Sequence, residues 1–379
     1  MKELEYYLKY EQPNKYIVKS DQYCDDYSTP VLTAGQTFIL GYTNEEDNIF
    51  PASKENPVII FDDFTTSVQF VDFNFKVKSS AMKILISNRD INIKYFYYLI
   101  KNIKKENSLH KRYWISDYAK KKIKEISIEE QNEVVRKLDL LYDAINNKNK
   151  QNEELLKLID AKFLELFGDI NINEKEMVIK SLCDVSKISS SKRIYLKEYV
   201  EKGIPFYRSK EIVELGNGKQ PSTRLFISEE RYNEVKTKYG VPKIGDILIT
   251  AVGTIGKMWL IDNDKPFYYK DGNLILISLS DELTPIYFKY ALNKLMTNFK
   301  KTNVTGGVYA ALTIEKFKKM SIIVPRKEIQ AEFECKYNYL MKMIYTNNEI
   351  IKKHNILLII KISEYLNWNV AFLQYFSSI

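Results

Sequence analysis

Residues 128–167, IEEQNEVVRKLDLLYDAINNKNKQNEELLKLIDAKFLELF, and residues 327–366, KEIQAEFECKYNYLMKMIYTNNEIIKKHNILLIIKISEYL, decide how this chain is built. Alternating steps of four and three from Val134 reach Leu138, Leu141, Ile145, Lys148, Asn152, Leu155, Ile159, Lys162 and Leu166. The same steps from Phe333 reach Tyr337, Leu340, Ile344, Asn347, Ile351, His354, Leu358, Lys361 and Tyr365. That spacing places one apolar stripe along an α-helix. The stripes share a register 199 residues apart, with Glu129, Gln131, Leu141, Ile145, Asn149 and Glu165 recurring as Glu328, Gln330, Leu340, Ile344, Asn348 and Glu364. A helix of this length, about 60 Å at ~1.5 Å per residue, cannot bury a stripe alone. Two matching stripes predict helices packed on each other as an antiparallel coiled coil with pseudo-two-fold symmetry. Polar residues interrupt both stripes midway, and an antiparallel crossing brings 148–152 beside 347–351. Such residues either fix register at some cost in stability or mark a solvated break.

Each long helix follows a segment of mixed character. Pro57–Phe61, Val68–Phe75 and Met82–Ser87 read as strands, and Lys94–Lys105 as a helix with Tyr95, Leu99 and Ile103 on one face. The order repeats in Ile247–Thr250, Lys257–Ile261, Asn273–Leu279 and the helix Pro285–Lys300. Tyr95-Phe96-Tyr97-Tyr98 matches Tyr287-Phe288-Lys289-Tyr290, and Thr29-Pro30-Val31-Leu32 pairs loosely with Ile204-Pro205-Phe206-Tyr207. The offset drifts from 175 to 199 along the chain, so the segments have diverged by insertion and deletion while the helices have kept step. The expected organisation is a mixed α/β chain with a first domain at 1–127, a central helix at 128–173, a second domain at 174–325 and a C-terminal helix and tail at 326–379.

Composition narrows the class. With 45% hydrophobic and 28% charged residues in 379, the chain reads as a soluble globular protein with two or three cores. Cys24, Cys183 and Cys335 lie far apart, and the only histidines, His110 and His354, are isolated, which argues against a disulfide framework or a zinc site and fits a reducing cytoplasm. The most apolar run, Ile356–Ile360, is too short to span a bilayer, so no membrane is expected. The net charge of +8 is uneven: 174–325 holds 25 basic against 17 acidic residues, whereas 128–173 holds 6 against 10. The second domain suits a polyanion, and the first helix suits protein.

Catalytic motifs are mostly absent. Gly253-Thr-Ile-Gly256 lacks the Gly-Lys-Ser/Thr ending of a phosphate loop. Asn56-Pro57-Val58-Ile59 lacks the second proline of an amino-methyltransferase motif and runs into a strand. Asp62-Asp63 and Asp262 with Asp264 read as strand-end acids before they read as a metal-nuclease pair.

Taken in order, the motifs resemble the specificity subunit of type I restriction-modification enzymes. The second domain carries Gly245-Asp-Ile-Leu-Ile249 and Gly253-Thr-Ile-Gly256; the first carries Thr29-Pro-Val-Leu-Thr-Ala-Gly35, Asn56-Pro-Val-Ile-Ile-Phe-Asp-Asp-Phe-Thr65, Lys78-Ser-Ser-Ala-Met82 and His110-Lys-Arg-Tyr-Trp-Ile-Ser116. The proline-rich lead-in to the helix is reduced to Val324-Pro325-Arg326 in the second half and is missing from the first. The resemblance implies two target-recognition domains, each over one half of a split double-stranded DNA sequence, and no catalysis by this chain. It also implies two methyltransferase subunits docked through the helices, a restriction subunit joining for cleavage, and S-adenosylmethionine, ATP and magnesium held by those partners. A self-contained methyltransferase or endonuclease and a coiled-coil protein adaptor are the rival readings.

Base reading needs fixed donors and acceptors on loops above a framework that grips phosphates. In the first domain His110, Lys111, Arg112, Tyr113 and Trp114 combine charge with stacking surface, and Asn14, Lys15, Tyr16, Gln36 and Thr37 are secondary candidates. In the second, Ser191, Lys192 and Arg193, Tyr207 and Arg208, Lys219, Gln220 and Arg224 lie on polar loops. Thr302, Asn303, Thr305, Gly306, Gly307 and Tyr309 complete the set, with glycines that let a backbone approach another chain. Each of these stretches also reads as an ordinary solvated loop, with Trp114 as core.

Overall fold

A computed structural model of the chain describes residues 1–33, 37–103, 112–222, 224–302, 304–305, 308–309 and 312–366, with backbone alone from 301 to 309. Both long helices form with the bounds of the repeated stretches, Ile128–Phe167 and Lys327–Leu366. Every seam position named above is buried or half-buried. Compactness divides the chain in the middle of each helix: one unit holds Met1–Asn152 and the chain from Tyr345 onward, the other Glu153–Ile344.

In the first unit, strands β1 (Leu8–Glu11), β2 (Thr29–Leu32), β3 (Ile39–Thr43), β4 (Val58–Asp62), β5 (Val68–Val71), β6 (Lys76–Val77) and β7 (Met82–Ser87) form two sheets. The larger is antiparallel in the order β1-β7-β4-β5; the smaller is β3-β2-β6, with β2 and β6 parallel. Strand β4 is apolar without alternation because both its faces are covered. Val58 and Ile60 join the core around Phe75 and Val77, while Ile59 and Phe61 join the core around helix α1 (Ile93–Asn102). The strand read over Val68–Phe75 stops at Val71, and Phe75 instead bridges Phe50. Helix α1 ends at Asn102, short of the expected Lys105, as Ile103 turns to extended backbone.

The second unit repeats this topology. Strands β8 (Ser186–Ser189), β9 (Tyr199–Val200), β10 (Ile204–Tyr207), β11 (Phe226–Ile227), β12 (Ile247–Thr250), β13 (Met258–Leu260), β14 (Tyr268–Tyr269) and β15 (Leu274–Leu279) form sheets ordered β8-β15-β12-β13 and β9-β11-β10-β14. The first sheet has the same first-fourth-second-third order as its counterpart. In the second sheet, β10 runs parallel to β14 just as β2 runs parallel to β6, so the loosely matched stretches at 29–32 and 204–207 occupy equivalent strands. Strand β12 again splits by parity, with Ile247 and Ile249 facing one core and Leu248 the other. Helices α2 (Ser209–Gly216) and α3 (Pro285–Thr302) belong to this unit, as does a further helix at Glu229–Tyr239, and α3 is the counterpart of α1. In each unit an opening strand pairs with the strand that feeds a long helix, Lys2 with Ile123 and Val178 with Val324.

Within the first unit the helix halves run antiparallel. The Lys124 N–H donates to the Tyr365 carbonyl at 3.1 Å, and at the other end the Asn152 amide donates to Asn348 and accepts from Asn347, both at 2.9 Å. The expected juxtaposition of the polar interruptions is therefore met by the asparagines, whereas Lys148 turns to Gln151 on its own helix. Within the second unit Lys162 pairs with Glu332 at 2.8 Å, and Phe163 and Phe167 pack edge-on against Phe333.

Candidate nucleic-acid interface

The short helices are fixed to the long ones by polar contacts that set where each domain's loops lie. The Asn92 N–H donates to Gln131 Oε1 at 3.0 Å and the Gln131 amide donates to the Ile126 carbonyl at 3.3 Å. In the second unit the Thr284 N–H donates to Gln330 Oε1 at 2.8 Å, and the Gln330 amide donates to the Pro325 and Glu282 carbonyls. Asp139 accepts from the Tyr98 hydroxyl and pairs with Lys94 at 2.8 Å; Asp160 accepts from the Tyr290 hydroxyl at 2.7 Å and pairs with Lys294. Burial and the adjacent carboxylate both push the Tyr98 and Tyr290 hydroxyls far above their ordinary range, so they stay protonated donors.

In the second unit the expected residues separate by whether their hydrogen-bonding capacity is already spent. Arg193 is held by Asp271 at 2.8 Å, which raises its pKa, and the Lys192 N–H donates to the Tyr268 hydroxyl while its ammonium lies over the Tyr239 ring. Ser191 is half-buried beside them. Arg208 caps α2 by donating to Glu211, a fully buried carboxylate. The Tyr207 ring stacks on Phe267 at 5.0 Å and meets Trp259 edge-on. Lys219, Gln220 and Arg224 are exposed, and Lys219 and Gln220 open on a cleft floored by those three rings. Thr302 ends α3, and Val304–Thr305 pairs with Val308–Tyr309 as a small hairpin that carries Thr305 and Tyr309; Asn303, Gly306 and Gly307 lie outside the described residues.

In the first unit several expected reading residues belong to the framework. Trp114, 1% exposed, packs on Phe61 at 5.4 Å, and Tyr113 is buried beside it, so neither offers a face for base stacking. A tryptophan next to three polar residues reads as surface in one dimension. Here the Trp114 backbone N–H donates to Asp63, itself paired with buried Lys83, and the ring packs inward on Phe61. Tyr16 is buried too, its hydroxyl donating to Glu11, and Glu11 also pairs with Lys15 at 2.9 Å. Arg112, Asn14 and Thr37 are exposed; Gln36, His110 and Lys111 lie outside the described residues.

The sequence reading missed two groups. Phe64 stands 64% exposed in the turn that follows β4, where Asp62 accepts from its N–H at 2.8 Å. Lys265 and Asn263 lie across the cleft from Lys219 and Gln220. An aromatic flanked by Asp63 and Thr65 was a legible turn signal for the first; nothing local marked the second, because the cleft joins loops some 40 residues apart.

Residues 174–333 match the family model of the type I restriction modification DNA specificity domain. The chain is 54% identical over 142 residues to the type I restriction enzyme EcoR124I/EcoR124II specificity subunit of Escherichia coli, covering 35% of each. It is 27% identical over 299 residues to the type I restriction enzyme MjaIX specificity subunit of Methanocaldococcus jannaschii, covering 72% of this chain and 68% of that one. The chain spans little more than a third of the Escherichia coli relative and of a Haemophilus influenzae type I specificity subunit, 35% and 38%. A crystal structure of a type I restriction-modification S subunit from M. genitalium shares the fold, with a TM-score of 0.58 at 15% identity over 95% of both chains.

Proposed function

From the premise that this chain carries a type I restriction-modification DNA specificity domain and is similar to type I specificity subunits, we propose that it is the non-catalytic DNA-reading subunit of such a complex. Each domain reads one half of a bipartite double-stranded target, and the long helices set the spacing between the halves. The observation that carries this reading is the repeat itself: the same four-stranded sheet order, the same parallel strand pair and the same glutamine contact recur in two units whose loops differ. Scaffolds repeat and readers diverge when two different half-sites must be recognised at a fixed distance.

The helices then serve as the docking surface for two methyltransferase subunits, with a restriction subunit joining for cleavage and S-adenosylmethionine, ATP and magnesium held by the partners. Exposed apolar side chains on the helices support this. Leu158, 45% exposed, and Tyr339, 61% exposed, line one groove with Ala161 and Cys335 in the second unit. A helical pair that still shows large apolar side chains to water is suited to another protein surface. Among the described residues, no cluster of three or more metal-ligating side chains occurs and no helix is long and apolar enough to cross a membrane.

The experiment is to map methylated adenines in cells that express this chain with its methyltransferase partner and in cells that lack it. A bipartite motif that appears only with the chain supports the reading; methylation independent of it contradicts the reading.

A further inference from the structure

The cleft of the second unit unites two loops that the sequence separates. One is 217–222, which leaves α2 through Gly218, whose φ of +72° suits glycine, and is pinned at both ends by Glu214. The Glu214 carbonyl accepts from the Lys219 N–H, and its carboxylate accepts from the Ser222 N–H and hydroxyl, both at 2.7 Å. Gln220 sits at the apex, immediately before Pro221. The facing loop closes on itself: the Asn263 amide donates to Asp262 at 2.8 Å and accepts from the Lys265 N–H at 3.2 Å. Beneath them Tyr207, Phe267 and Trp259 form a packed aromatic floor.

Both loops are thus braced, yet among the described residues the side chains of Lys219, Gln220 and Lys265 make no hydrogen bond or ion pair, unlike Arg193 and Arg208. The opening is about 190 Å³, below the range of roughly 300–1,000 Å³ that encloses a cofactor or drug-sized molecule. It admits a group that enters edge-on. A carboxamide on a braced loop, with one lysine beside it in the chain and another across the cleft, has the donor and acceptor pair that matches N6 and N7 of adenine in the major groove, while the lysines match phosphate oxygens.

Resting on the reading of the chain as a DNA-recognition subunit, we infer that Gln220 reads one base pair, an A·T, in the half-site recognised by residues 174–325, and that Lys219 and Lys265 hold the flanking phosphates. The test uses the chain purified with its methyltransferase partner and duplexes carrying the mapped target with every base pair substituted in turn. Gln220→Ala should relax preference at one position of one half-site by about ten- to a hundredfold and leave the other half unchanged. Gln220→Glu should shift preference at that same position toward C. Lys219→Ala and Lys265→Ala should weaken all duplexes alike and reduce the slope of log affinity against log salt by about 0.9 each. Unaltered preference in both Gln220 variants of a complex that still discriminates would overturn this assignment alone. A wild-type complex that does not discriminate among the duplexes would overturn the functional reading and this assignment with it.

Discussion

Gln131 and Gln330, 199 residues apart, make the same contact in different units: each accepts from the N–H that opens a short helix and donates to the carbonyl five residues upstream on the chain leading into a long one. Both are buried, and each ties helix, lead-in strand and domain into one joint. Replacing either by Ala leaves a half-buried N–H and a lead-in carbonyl without their partner, at about 1 kcal/mol. Gln330→Ala should be the costlier, since it also frees the Glu282 carbonyl. Thermal unfolding of the single variants checks both the loss and the ranking.

The asparagines at mid-helix give a second prediction. Asn347 is 7% exposed and its amide donates to Asn152. Asn152→Ala leaves that amide buried without its acceptor and should cost about 1–3 kcal/mol, whereas Asn152→Leu with Asn347→Leu should restore or exceed wild-type stability by filling the seam. Denaturant unfolding distinguishes the two; a stable Asn152→Ala variant would show that the pair contributes nothing.

Asp160 gives a pH dependence. Burial raises its pKa, but the Lys294 ammonium and the Tyr290 hydroxyl outweigh burial and hold the carboxyl below its usual range. A folded-state pKa below the unfolded one contributes stability above the ordinary carboxylate range, and that contribution is lost as the pH falls through the folded value. Unfolding midpoints measured from neutral to acid pH should fall more steeply for wild type than for Asp160→Asn. Equal slopes would rule out this contact as a source of acid sensitivity.

Arg112 and Trp114 separate reading from support. Trp114→Ala should cost about 3–5 kcal/mol through the cavity left beside Phe61, as measured by thermal unfolding. Arg112→Ala, at an exposed position, should leave the unfolding midpoint in place and weaken DNA binding by the assembled complex.

The scaffold was far more legible than the site. Helix bounds followed from a stripe long enough to average out local exceptions, and the repeat supplied a second reading of the larger sheet and of the helices after it. Strands β4 and β12 were legible because both faces are covered, which leaves unbroken apolar runs. Candidate reading residues depend instead on which side chains are already engaged. Nothing near Arg208 announces that Glu211 will be buried, nor near Trp114 that Asp63 will take its N–H. Lys265 escaped notice because its relation to Gln220 exists only after β10 and β14 pair.

The central claim is that two readers are mounted on one ruler. Its most direct test is to map adenine methylation directed by the wild-type chain with its methyltransferase partner, then by a chain in which residues 1–127 alone are exchanged for those of a relative with different specificity. The account predicts that one half of the bipartite motif changes while the other half and the spacing stay the same. A change in both halves, or none in either, would contradict it.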